Sequence, residues 1–264
     1  MRRAGGLKYL AIAAAAARRS GHERAELAGR AVFFVVILFI FSRLWHVVLA
    51  SGPSPWAGER ELIWYLAVTE WCVLSVPAIF LAIEADVRSG DVACQLVRPV
   101  SYVGARVAEG AGDAAVRLLV LGAAGATGAW LLAGGLPAGA RGLLLVPPLV
   151  VLSSLLAVLA AVAIGLSAFW IVDTSPVMWI WSKLLFVLGG LFLPLEIYPD
   201  WLRAVARYTP FPSMLWGPAR MAFGWAPRLA LGTAAELIGW NVLALAVLAW
   251  LGRRAAGRLT VHGG

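Results

Sequence analysis

The sequence predicts an all-α membrane protein with six transmembrane helices, an N-terminal amphipathic surface helix and an outer re-entrant hairpin before the last helix. Three observations lead there. Hydrophobic residues fill 61% of 264 positions and charged residues 14%, whereas a soluble domain has about a quarter charged and roughly 45–50% apolar residues. Mean hydropathy is +0.84, and a soluble fold of that character would leave large apolar patches facing water. Apolar runs approaching the roughly 20 residues that carry a helix across hydrocarbon also recur six times. Helices are forced, because lipid offers no partner to free backbone groups, and no stretch alternates like a barrel strand.

The elements follow in order. Residues 1–28 form the surface segment and 29–264 the membrane domain. Within the first, residues 4–28 mix an alanine-rich stretch with charges, as an amphipathic helix lying on the membrane or a disordered basic tail would. Spans are expected over residues 29–50, 61–83, 113–132, 142–172, 176–195 and 229–251. An inside N-terminus then leaves 84–112 and 173–175 in the cytoplasm and 51–60, 133–141 and 196–228 outside. Thirteen basic residues fall inside and six outside, the bias expected if both termini are cytoplasmic. Arg203, Arg207, Arg220 and Arg228 run against it, but their segment is rich in Pro, Trp and Phe and is read as dipping into the membrane.

The net charge of +8 concentrates at the ends: seven of the 22 Lys and Arg lie in the first 30 residues, and Arg253, Arg254 and Arg258 follow the last span. That placement anchors topology and attracts headgroups, so nucleic acid is excluded as a partner and the lipid bilayer is the expected one. Trp45, Trp64, Trp130, Trp170, Trp179, Trp181 and Trp250 fall near span ends, where amphipathic rings prefer to sit. Cys72 in a span and Cys94 in a loop are not expected to form a disulfide. The basic N-terminus continues to Arg30, too far for a cleavable signal.

Chemistry-bearing motifs are scarce. There is no Gly-x-x-x-x-Gly-Lys-Ser/Thr run, so no phosphate-binding loop is expected in this chain. Gly122, Gly125 and Gly128 lie inside an apolar span, where small residues serve close helix packing. Ser167 lacks a histidine partner at matching depth, since the histidines are His22, His46 and His262. No ligand spacing for a metal occurs within a helix. Catalytic, cofactor and metal residues are therefore expected to be absent. The informative polar residues are those placed in lipid: Glu70, Glu236, Arg43 and Asn241 as a candidate polar or substrate path, with Arg117 and Lys183 near enough to the cytoplasmic face to snorkel. Glu70 is open to three readings: a structural pair with Arg43, a substrate contact, or a position at the lipid edge.

The first cytoplasmic loop is the most pointed feature. Glu84, Asp86 and Arg88 lead to Ser89-Gly90-Asp91, and Arg98-Pro99 follows. A short charged helix closed by Gly90, restarted at Asp91 and stopped before Pro99 would offer a rigid knob to a soluble partner. "Asp-x-Arg-Ser-Gly-Asp" followed by "Leu-x-Arg-Pro" resembles the signature of type-2 ABC exporter permeases, in the six-span drug-exporter-like branch. The stretch Gly189-Gly190-Leu191-Phe192-Leu193-Pro194 through Pro199-Asp200-Trp201-Leu202 is similar to that family's fifth span and outer hairpin. The resemblance implies a coupling helix at residues 84–99, seated on a separate ABC ATPase subunit that holds the ATP and Mg. It implies two ATPase copies and two permeases, identical or homologous, exporting a drug or other small or lipid-like molecule across the cell inner membrane. A permease contributing little to the substrate path beside a different one is the alternative, ahead of a stand-alone channel or intramembrane enzyme.

Overall fold

Alanine-rich sequence with Tyr9, Ala13, Ala16 and Ser20 on one face builds α1 (Arg3–His22), and α2 (Arg24–Ala50) begins almost at once. The computed structural model describes residues 3–50, 58–96 and 100–261. The two helices meet at Glu23, and Arg24 and Glu26 already belong to the helix that enters the apolar run. The second expected span breaks in two, α3 (Glu59–Leu74) and α4 (Ile79–Ser89). Pro77 explains the break: it has no N–H for Val73 and its ring clashes with the preceding turn. Gly90, at φ 79°, caps α4 in the left-handed conformation and α5 (Asp91–Leu96) follows.

The third span, α6 (Tyr102–Leu132), starts well before residue 113, capped by Ser101 Oγ accepting the Gly104 N–H. After a 3₁₀ turn at Ala140–Leu145, Pro147 and Pro148 open α7 (Val146–Leu166) at positions where their missing N–H groups cost nothing. The fifth expected span is shorter than the sequence suggests. α8 (Ser175–Leu188) ends at Gly189 and Gly190, the latter at φ 73°, and its 14 residues reach only about 21 Å at roughly 1.5 Å each. Short helices α9 (Asp200–Arg207), α10 (Phe211–Met214) and α11 (Trp216–Arg220) lead to α12 (Pro227–Val261). Helices dominate and no strand occurs among the described residues. Five helical stretches are long and apolar enough to cross a membrane, with Ser175–Leu188 as a shorter apolar helix. The protein is a multi-pass, all-α membrane protein.

Burial separates a centre from a periphery. In the most apolar 18-residue window of residues 140–169, 78% of the residues are buried, against 22% in that of α2 and 17% in that of α12. α7 is apolar all round, and it packs against α3, α4, α6, α10, α11 and α12. The segment expected outside is drawn inward: Phe211 to Met214, Gly217 to Ala219, Met221 and Ala222 are all buried, and α10 and α11 contact α7 and α12. Glycines permit the tight approaches. A Cβ on Gly125 would lie 2.5 Å from the Phe34 ring and one on Gly122 2.7 Å from Trp71, so this glycine series does serve helix packing. At Gly112 a Cβ would lie 2.1 Å from the Ala13 carbonyl oxygen, so α1 rests directly on α6.

That contact generates a paired expectation. Gly112→Ala should destabilise the protein by about 1–3 kcal/mol through overpacking and open α1 to limited proteolysis. Gly232→Ala, with nothing within 4 Å of its Cβ, should be neutral or stabilising by about 0.5–1 kcal/mol. Thermal unfolding of the purified chain that ranked them the other way would remove the close α1–α6 approach.

Candidate functional site

The α4–Gly90–α5 corner is built from an inward-facing acid, an exposed base and a glycine stop. Glu84 is buried, and its Oε2 accepts the Thr174 backbone N–H at 2.8 Å together with the Thr174 hydroxyl. One turn on, Arg88 pairs with Glu84 Oε1 at 2.8 Å and donates from Nε and Nη2 to the Val172 carbonyl at 3.0 and 2.6 Å. The two side chains therefore clasp the turn between α7 and α8. Within that turn, the Ser175 N–H donated to Asp173 Oδ1 at 2.9 Å holds the Asp173 carboxyl below the usual carboxylate range.

Asp86 faces α6. It accepts the Tyr102 hydroxyl at 2.7 Å and pairs with Arg106, both members being only 14% exposed in their side chains. Arg106 also binds Glu109 at 2.5 Å, and Glu109 receives Arg19 of α1 at 2.8 Å. Glu109, largest among the causes, raises the Arg19 guanidinium above its ordinary value. Of the residues expected in the coupling loop, Glu84 and Asp86 are engaged in holding the corner, and an Asp86 charge reversal is expected to disturb folding. Ala85, Ser89, Gly90 and Asp91 form the exposed edge, with Ser89 Oγ donating to Asp91 Oδ2 at 2.8 Å. Arg98 and Pro99 lie outside the described residues.

The candidate polar path divides. Glu70 is buried in α3, and Asn241 of α12 is buried with its Nδ2 donating to the Leu152 and Leu237 carbonyls at 3.1 and 2.8 Å. Arg43 and Glu236 are exposed. The expected Glu70–Arg43 pair does not form among the described residues, for a reason of helical phase. α2 buries Phe34, Leu38, Ser42 and Trp45, which turns Arg43 away from the bundle and over the Phe39 ring at 5.2 Å. Likewise α12 buries Thr233 and Leu237, leaving Glu236 on the outside. The structure does not bring these four residues together as one site.

Several further polar ties hold the helices together. Arg117 is 4% exposed and binds Glu26 at 2.9 Å and Asp113 at 3.8 Å. Arg30 donates to the Leu74 carbonyl at 3.0 Å, one of the acceptors left without its helical partner around the Pro77 break. Tyr65 and Thr69 donate to the Gly190 and Leu191 carbonyls at 2.5 and 2.9 Å. Glu196 accepts from Trp216 at 3.0 Å and Arg220 at 2.7 Å. Tyr65 and Thr69 at i and i+4 on a membrane helix were the one legible signal.

Residues 65–259, well over half of the chain, match the family described as "ABC-2 family transporter protein". No curated protein and no solved structure matches the chain.

The clasp is open to direct test. Glu84→Ala strands the buried Thr174 N–H and hydroxyl, costing about 1–3 kcal/mol, whereas Glu84→Gln keeps an acceptor and should cost less. Amide exchange across residues 172–176 should rise most in Glu84→Ala and less in Glu84→Gln. Unchanged exchange in Glu84→Ala would show that the turn is held by something else.

Proposed function

The chain belongs to the ABC-2 transporter family, and from that premise we propose that it is the transmembrane permease subunit of an ATP-binding-cassette exporter. A separate ABC ATPase subunit, in two copies, supplies the nucleotide chemistry with its own ATP and Mg. Two permeases, identical or homologous, form the path for a small-molecule or lipid-like cargo across the cell inner membrane, with both termini cytoplasmic. The observation that carries the reading is the construction of the α4–Gly90–α5 corner. It exposes a short edge while its other side chains bind the α7–α8 turn and α6.

A corner built this way transmits displacement. A push on the exposed edge reaches α8 through Glu84 and Arg88, and reaches α6 and α1 through Asp86, Arg106 and Glu109. The break between Leu74 and Ile79 lets α4 tilt without carrying α3 rigidly along. Glu70 and Asn241 remain the candidates for cargo contact, since a buried polar group in a membrane usually faces the interior or a hydrated path.

Three variants separate docking from folding. Ala85→Arg and Asp91→Arg alter exposed residues and should leave expression intact while weakening ATPase association by about fivefold or more, the scale of a contact that matters at an interface. Asp86→Arg should instead lower folded yield, because it opposes Arg106. Co-elution with the ATPase and transport-linked ATP hydrolysis in liposomes are the measurements. Normal assembly and export in both exposed-edge variants would end the coupling role. For orientation, a cysteine at the exposed Gly6 should resist membrane-impermeant maleimide in intact cells and react after permeabilisation; reaction in intact cells would invert the topology.

A further inference from the structure

A cavity of about 740 Å³ opens between the N-terminal part of α6 and the C-terminal part of α12, with α1 at its rim. Tyr9, Val103, Val107, Phe169 and Leu248 contribute apolar wall, and Arg253 is the one charged side chain among its lining residues. The volume lies within the roughly 300–1,000 Å³ of ligand sites. Walls of this kind offer water few partners, so a hydrocarbon chain suits them better than solvent. We propose that this cavity is a site for an anionic phospholipid, an acyl chain lying between α6 and α12 and the headgroup phosphate meeting Arg253.

Four observations support an acidic headgroup. Arg253 is exposed, and none of the ion pairs among the described residues engages it. The nearby Asp86 and Glu109 carboxylates are already paired with Arg106 and do not compete. The apolar run of α12 ends at Leu251, just before Arg253 and Arg254, so Arg253 sits where hydrocarbon gives way to headgroups. Arg254 is turned aside onto the Trp250 ring at 4.5 Å, leaving Arg253 as the cation at the mouth among the described residues. Basic pockets between membrane helices bind anionic headgroups in this manner. The proposal goes beyond the permease reading and stands without it.

The test uses the full chain, purified alone and reconstituted in nanodiscs of equimolar phosphatidylglycerol and phosphatidylcholine, with bound lipid counted by native mass spectrometry. Wild type should retain phosphatidylglycerol over phosphatidylcholine. Arg253→Gln should lower that preference by about fivefold, the worth of one basic side chain at a charged membrane surface, and Arg253→Lys should keep most of it. Ala249→Phe, placed on the cavity wall, should reduce retention of both lipids. No preference in wild type, or an unchanged preference in Arg253→Gln, overturns the proposal. So does a lipid-free dimer that Ala249→Phe dissociates, since a second copy would then fill the cavity. Should Ala249→Phe fail to fold, the Gln and Lys variants decide alone. ATPase association plays no part in this readout, so either reading can fail without the other.

Discussion

Hydrocarbon supplies no hydrogen bonds, so each helix break within the membrane domain has to be satisfied by the protein itself. The break at residues 75–78 shows what that demands. Pro77 interrupts the helical ladder, the Val76 N–H turns back to the Val73 carbonyl at 3.3 Å, and Arg30 reaches across from α2 to the Leu74 carbonyl. The same necessity acts at the end of α8, where the Tyr65 and Thr69 hydroxyls donate to the carbonyls of Gly190 and Leu191. An irregular backbone survives there because it is buried in protein.

Ion pairs extend this logic along one end of the bundle. Arg117, Glu26 and Arg30 join α2 to α6, and Arg19, Glu109, Arg106 and Asp86 join α1 to α6 and α4. An isolated exposed pair adds about 0–1 kcal/mol. Arg106, Asp86 and Glu109 are largely buried and share partners, so loss of one member leaves another charge stranded at greater cost. The net effect is less a gain in stability than a fixed relation between helices whose apolar faces alone would allow sliding. Lipid is as apolar as leucine, and packing without polar ties specifies register weakly.

Much of the architecture was legible because composition and helix punctuation act locally. The apolar runs, the Gly90 stop and the role of Gly122 and Gly125 depend on a few neighbouring residues, and they appear as read. What escaped the sequence depends on which face of a helix meets which neighbour. Arg43 and Glu70 have matching depth, but the burial of Ser42 sets the phase of α2 and turns Arg43 outward. Asp86 and Arg88 look alike in a charged loop; only the extension of α6 back to Tyr102 gives Asp86 a partner 20 residues away in Arg106. The fifth expected span fell short because two adjacent glycines end α8 inside what hydropathy counts as one run.

These two kinds of tie divide the labour along α3 and α4. At one end of the pair, Tyr65 and Thr69 hold α3 to the Gly190–Leu191 backbone, which itself leads into the buried α10 and α11. At the other end, Glu84 and Arg88 hold α4 to the α7–α8 turn. Both ends of α8 are therefore gripped by the same broken helix. A displacement of the α4 corner can reach the far side by two routes, through the tilt of α4 about residues 75–78 or through α8 itself. The second route does not require the hinge to be stiff. Under the proposed coupling role, that arrangement reconciles a helix interrupted by proline with a displacement that has to cross its full length.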